Sequence, residues 1–497
     1  MMNSVTSTTH HGIASYSLNR AGICTATLVF GVGMRDEPAA MAGITHLVEH
    51  VLLRMVHPMP LYHGGRVGTD SVEFHATGES EVVGGFLNAV AKAITGFASV
   101  SEEALVLEKS VVEAENPPAY CRASSGLLTY RFGTRGPGAG QFGAPSTADL
   151  GRGELVAWVN RWFIAENSAL TFTGAVPDSL DIRLPSGEQV PKEHHEPLIT
   201  APTVIRSAKE GVALSFIVPT HGSSLLGEAL RYELLDRLSH DRGLIYSVDI
   251  ITTALDTEQC QLDLILDPVE SNVRAAFIEG VTAVRAVAEN GFSINALVQA
   301  RRCLQAELGW DDCTAAFTYL GQLAVDRLLG RPTSTPTQVL AQADAQRTEG
   351  LTELLRTAAG SLVVAVDKYA TVKKKDVKSL AMHLDPYEIW QPRPHSDNED
   401  SSQKSVDGHR LWRHKSSTSV MWLTPTHLWR RQGGKTRSID LADVVLAGHR
   451  SCGCITLMDS RGRSDELPTE NWKHGQALKR ALLSACPAGT LRTFPEK

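Results

Sequence analysis

The chain lacks any run of about 18 uninterrupted apolar residues, the length a membrane-spanning helix requires, and its first residues, MMNSVTSTTHHGIASYSLNRAG, carry no basic stretch followed by an apolar core. Neither membrane spanning nor export is indicated, and a cytoplasmic location is expected. Cysteine is sparse: eight residues in 497, of which only Cys452 and Cys454 are close neighbours. A disulfide framework is therefore not expected, and reduced thiols fit a reducing compartment. Lys and Arg are fewer than Asp and Glu, 48 against 55, for a net charge of −7. The deficit is uneven, because the stretch from residue 409 onward is basic and the remainder is strongly acidic. That basic tail is not expected to engage nucleic acid, since basic surfaces on small domains are common.

What is present is an ordinary globular composition, 42% hydrophobic and 21% charged, in a chain long enough for two or three cores. Residues 14–33 read as two short strands around an Asn-Arg-Ala-Gly turn, followed by a helix from His46 that has Thr45 as its expected N-cap. A strand pair over GGRVGTDSVEFHATGESE, a helix over EVVGGFLNAVAKAITGF and a second helix over SEEALVLEKSVVEAENPP come next. From about residue 200 the order of strand, helix, strand pair and helix starts again without residue-level identity, which raises an internal duplication. The polar stretch 392–409 reads as a linker, and short strands plus one helix follow it. Trp412, Trp422, Trp429 and Trp472 are expected to form the core of that tail. The fold class expected is thus α+β, divided at 1–198, 199–390, 391–409 and 410–497.

The segment AGITHLVEHVLLR holds two histidines four residues apart with a glutamate beside the second. On a helix, His46 and His50 share a face and can offer two imidazole nitrogens to one ion; the same pattern is also the polar stripe of an amphipathic helix. A third ligand would favour the metal reading. Glu108 and Glu115, seven apart on the second helix, lie on one stripe, whereas Glu113 points elsewhere, and Glu115 is the better candidate. Two histidines and a carboxylate leave a position open for water, with Glu49 placed to take its proton.

His46-Leu47-Val48-Glu49-His50 is an inverzincin motif, and its surroundings resemble the signature helix of the pitrilysin/insulinase-like zinc metallopeptidases. The mitochondrial-processing-peptidase-like branch with short subunits is the nearest in form. LEKSVVEAENPP, the helix–strand passage 142–176 and HDRGLIYSV (240–248) resemble further family segments in family order, over residues 14–385. The resemblance implies two homologous αβ halves, each an antiparallel sheet with helices, and a zinc-dependent endopeptidase acting on short or unfolded peptides. One zinc ion (Zn2+) per chain would be held by His46, His50 and Glu115, with Glu49 as general base and Glu108 as helper carboxylate. Peptide would be gripped by Gly68 and Thr69, where the family usually has Asn-Ala, and by Arg242 and Tyr246. The alternative for Tyr246 is a core position in a sheet. Ser239 stands where a substrate-gripping arginine is expected, so a homologous partner subunit is expected to supply that grip, a heterodimer being favoured over a homodimer. The interval from His50 to Glu115 is shorter than the family usually shows, the loss falling before Gly64. The competing class is a non-catalytic peptide-binding or scaffold subunit. His63, His75, His240, His409, His414 and His449 are left out of the metal site; His75 either touches substrate or is a strand-face histidine with a hydrogen-bond partner.

Overall fold

The computed structural model describes residues 5–56, 59–115, 126–141, 143–199, 202–207, 211–309, 313–367, 372–385, 410–433 and 435–494. The stretch expected to be a linker, 391–409, lies outside them. Six strands form the first sheet: β1 (Thr6–His10), β2 (Ile13–Ser17), β3 (Cys24–Phe30), β4 (Tyr62–Val67), β5 (Val72–Gly78) and β6 (Ser168–Phe172), in the order β1-β2-β6-β3-β5-β4. Strand β1 is not anticipated by the residue pattern. It turns into β2 through His11 and Gly12, both at positive φ (46° and 86°), the backbone of a tight hairpin turn in which His-Gly replaces the usual Asn-Gly.

The second sheet contains β7 (Thr203–Ser207), β8 (Val212–Pro219), β9 (Ile245–Ala254), β10 (Gln259–Pro268), β11 (Val363–Asp367) and β12 (His383–Asp385), in the order β12-β7-β11-β8-β10-β9. Strands β2 and β6 pair in parallel, as do β7 and β11; every later step across each sheet is antiparallel. Five strands therefore repeat one topology, and the recurrence glimpsed from residue 200 is a recurrence of fold. The sixth strand breaks the symmetry, because β1 joins β2 as a hairpin whereas β12 arrives late in the chain and lies parallel to β7.

Helices follow the strands in matching places. In the first half they are α1 (Ile44–Met55), α2 (Ser80–Thr95), α3 (Glu102–Glu115), α4 (Leu127–Phe132) and α5 (Arg152–Trp162). In the second they include α6 (Ser223–Leu234), α7 (Val273–Asn290), α8 (Ile294–Leu308) and α9 (Cys313–Leu328). The apolar spacing of α1 puts Leu47, Val48, Val51 and Leu52 on the sheet side, each buried with Phe30, Phe74, Phe86 and Val112. The polar residues of α1 are left on the flank that faces α3.

The halves interlock. Leu127 and Tyr130 of α4 pack on the second sheet with Ile205, Ala213, Ile265, Val363 and Ala365, and the buried Arg131 donates to the Ser215 carbonyl at 2.7 Å. In exchange, Ala316, Leu320, Ala324 and Val325 of α9 cover Tyr16, Val29 and Ala169 of the first sheet. A buried ion network adds to this: Asp70 pairs with Arg35 Nε at 2.7 Å and Arg331 Nη2 at 2.9 Å, and Arg35 also donates to the carbonyls of Ala254 and Leu255 at the β9–β10 turn. Separating the halves would strand these charges in a dry interface, a cost that breaking a buried pair typically carries.

The tail builds two four-stranded sheets and a helix, Gly475–Ala485, with Trp412, Trp422, Trp429 and Trp472 all buried as the pattern implies. It docks on the first half immediately before α1. Leu446, Met458 and Phe494 bury Ala39, Ala40 and Ala42, while Arg492 pairs with Glu154 at 2.7 Å and donates to the Ala40 carbonyl.

Candidate metal centre

Helix α1 is started by an arrangement that the residue pattern misassigns. Thr45 is not its cap: the cap position is Gly43, at φ 93°, with no side-chain cap. The free amides of the first turn go instead to Glu37, whose carboxyl accepts from Gly43 N at 2.7 Å and Thr45 N at 2.9 Å. Burial pushes this carboxyl up to about 7 against the pull of the Gly43 amide and of the Thr45 hydroxyl and amide. A side chain at Gly43 is excluded on two counts, the left-handed backbone and a Cβ that would fall 2.4 Å from Thr147 Oγ1.

One turn further on, the flank of α1 meets α3. His46 Nε2 and His50 Nε2 are 3.2 Å apart, and Glu115 Oε2 is 3.2 Å from the latter and 3.6 Å from the former. These three atoms converge on a single point. Donors held at about 2.0–2.1 Å from one tetrahedral zinc lie roughly 3.3 Å from each other, so the triangle fits that ion without rearrangement. Among the described residues it is the one group of three or more His, Cys, Asp or Glu donors close enough to share an ion. Burial, and after it the His50 ring, lowers His46 below the ordinary histidine range, which favours the neutral imidazole that coordination needs.

The carboxylates around the triangle have separate tasks. Glu108 Oε2 lies 3.1 Å from His50 Nδ1, the ring nitrogen that faces away from the triangle, and its other oxygen meets Arg54. A carboxylate there fixes the tautomer and orientation of a metal-binding histidine. Glu113 is exposed on the far side of α3. Glu49 is only 5% exposed, with Oε2 at 3.7 Å from His50 Nε2 and 4.0 Å from His46 Nε2. Burial pushes its carboxyl up to about 7, with His50 opposing and Glu115 and Glu108 assisting. Room for it is provided by Gly65 on β4, where a Cβ would fall 2.0 Å from Glu49 Oε1. Gly65→Ala is expected to displace the Glu49 carboxyl while leaving bound zinc in place, lowering peptide cleavage by roughly 100-fold, as small misplacements of a reacting group do; metal content and kcat measured on one preparation check this.

The four residues expected to grip peptide are not gathered in the same way. Gly68 is committed within the chain: its N–H donates to the Ser71 carbonyl at 2.8 Å and its C=O accepts from Met34 N at 3.0 Å. The Thr69 carbonyl accepts from Arg35 N. Both backbone carbonyls thus accept from the Met34–Arg35 segment beside the Arg35–Asp70 pair. Arg242 pairs with Glu279 at 2.6 Å, and Tyr246, 72% exposed on the edge strand β9, is not the core residue that was its alternative. Sequence reasoning missed Arg54, Glu37 and the reason for Gly65; the Gly-Gly pair at 64–65 was the visible signal for the last.

The second half carries a counterpart without imidazoles. Helix α6 is also capped by a left-handed glycine, Gly222 at φ 81°. Aligned on the two caps, Glu49 matches Glu228, but His46 matches Leu225 and His50 matches Ala229. Glu228 pairs with Arg231 at 2.7 Å, and Arg231 donates to the Cys303 thiol of α8 at 3.1 Å. On the same alignment Arg231 matches Leu52, and the second half presents no imidazole at either donor position.

No protein-family model and no curated protein matches the chain. Solved structures do. A protease from Helicobacter pylori superposes with a TM-score of 0.60 at 14% identity, covering 74% of this chain and 100% of that one. A peptidase M16 inactive domain from Pseudomonas fluorescens gives 0.60 at 15%, covering 78% and 100%. The first half of the periplasmic protease PqqL from Escherichia coli gives 0.57 at 14%, covering 76% and 95%. The chain has the peptidase M16 fold. At these identities the likeness is one of fold, and an M16 domain can be inactive, so activity has to be argued from the residues at the site. Roughly a quarter of the chain lies outside each of these three superpositions.

Proposed function

We propose that this chain is a zinc-dependent endopeptidase of the insulinase type, acting on short or unfolded peptides and close in form to the mitochondrial-processing-peptidase-like branch. The observation that carries the reading is the convergence of His46 Nε2, His50 Nε2 and Glu115 Oε2 within 3.2–3.6 Å beside a buried Glu49. Zinc, when bound, supplies a Lewis acid that polarises the scissile carbonyl and acidifies a water. Glu49 receives the proton of the attacking water and hands it to the departing amine, a role suited to a carboxyl near 7. Glu108, anchored by Arg54, keeps the His50 ring turned toward the triangle. The peptide lies extended along β4, an edge strand of the first sheet.

With Ser239 in place of the expected arginine, that part of the grip on peptide is supplied by a homologous partner subunit, a heterodimer before a homodimer. No described helix is long and apolar enough to cross a membrane, and the sparse cysteines support a cytoplasmic location. The second reading, a non-catalytic peptide-binding subunit, has one observation behind it: the Pseudomonas fluorescens M16 domain of the same fold is inactive. Incubation with a chelator, followed by zinc add-back, separates the two. The endopeptidase loses cleavage of an unfolded peptide and regains it with about one zinc per chain; cleavage that is absent at full zinc occupancy sinks the reading.

A further inference from the structure

Resting on the endopeptidase reading, we propose that Gly64 opens a lane on the face of β4 opposite Glu49, walled by Tyr62 and Arg66 and closed by His75, which accepts one aromatic side chain of the substrate. Strand β4 is hydrogen-bonded to β5 alone, so its other edge is free for an added strand. Its residues alternate between two faces. Gly65, paired with Phe74, points at the Glu49 carboxyl, whereas Gly64 pairs with His75, Tyr62 with Thr77 and Arg66 with Glu73 on the opposite face. A substrate residue set beside Gly64 points its side chain into this second face, within one residue of the peptide bond presented to Glu49.

The lane is shaped and apolar in effect. Gly64 offers no side chain, and a Cβ there would meet nothing nearer than the His75 ring at 3.5 Å. The Tyr62 ring, 74% exposed, stands 6.0 Å from that imidazole, and Phe317 of α9 backs it at 6.1 Å. Arg66 is spent on both oxygens of Glu73, at 3.0 and 2.9 Å, so it walls the lane without offering an uncommitted charge. His75 Nδ1 is buried without a hydrogen-bond partner among the described residues, and burial lowers its pKa, keeping the ring neutral. Three rings around a gap suit a planar ring better than a charged group.

The test uses zinc-loaded Glu49→Gln protein and fluorescent unfolded peptides in which Phe or Ala is placed at each position in turn. Phe at one position is expected to tighten binding roughly 10-fold or more, the range that burying such a side chain gives. Adding Gly64→Val, or Tyr62→Ala should the first variant fail to fold, collapses that ratio toward one with zinc content retained. Equal binding of Phe and Ala peptides at every position, or a ratio that survives both substitutions, overturns the lane. Cleavage by the unsubstituted protein is read separately: ratios that behave as stated without cleavage keep the lane and remove the peptidase reading.

Discussion

Glu49→Gln is expected to lower kcat for peptide cleavage by roughly 100- to 10,000-fold, the span that a general acid–base group supplies, while zinc still binds. The argument rests on what glutamine keeps and what it loses. Its amide matches the carboxylate in size, so the packing beside Gly65 survives and the His46, His50 and Glu115 triangle is untouched. It cannot accept a proton at neutral pH. Glu49 is also set apart from the ligands: its carboxylate oxygen is no nearer than 3.7 Å to either ligand nitrogen, against 3.2 Å for Glu115. Metal analysis and single-turnover kinetics on one preparation check both halves of the expectation. Cleavage that persists within a few-fold of the unsubstituted protein would show that another group carries the proton.

Much of this was legible from residue types and spacing, and the parts that were not have physical reasons. The helix over His46–His50 and its apolar side were readable because a 3.6-residue period marks a single face, and Glu115 followed because seven residues on a helix return to the same stripe. Glu37 was not readable. It lies on a turn six residues before Gly43, and nothing local says that a distant carboxylate will cap a helix better than the adjacent threonine. The interlocking of α4 and α9 was hidden for a similar reason. An amphipathic segment declares that it has a buried face but not which sheet receives it. Gly68 and Thr69 stand where the family usually has Asn-Ala, and only the three-dimensional path shows their backbone groups engaged by Met34, Arg35 and Ser71. The tail's attachment to Ala39, Ala40 and Ala42 depends on shape complementarity between segments about 400 residues apart in the chain, for which no period or motif exists.

Glu115→Ala is expected to weaken zinc binding by more than about 100-fold, past the 10- to 100-fold loss that removal of an outer partner such as Glu108 brings. The order of the two effects is the informative part, because both carboxylates lie on α3 and both touch His50. Glu115 reaches the nitrogen inside the triangle at 3.2 Å and is also 3.6 Å from His46, so its removal takes away a donor and the one negative charge among the three ligands. Glu108 reaches only the outer nitrogen at 3.1 Å, so its loss frees the His50 ring to rotate but leaves the donor count at three. Stability separates them as well. A ligand present at about 100 times its dissociation constant raises unfolding free energy by roughly 2.7 kcal/mol, so zinc should raise the melting temperature of the unsubstituted protein and, at the same zinc concentration, raise that of the Glu115→Ala protein much less. Glu115 itself is exposed at the end of α3, so the substitution opens no cavity and the metal-free proteins should melt together. Competition against a zinc-chelating dye measures the affinities. Equal affinity in the Glu115→Ala and unsubstituted proteins would remove Glu115 from the centre, and a larger loss for Glu108→Ala than for Glu115→Ala would exchange their roles.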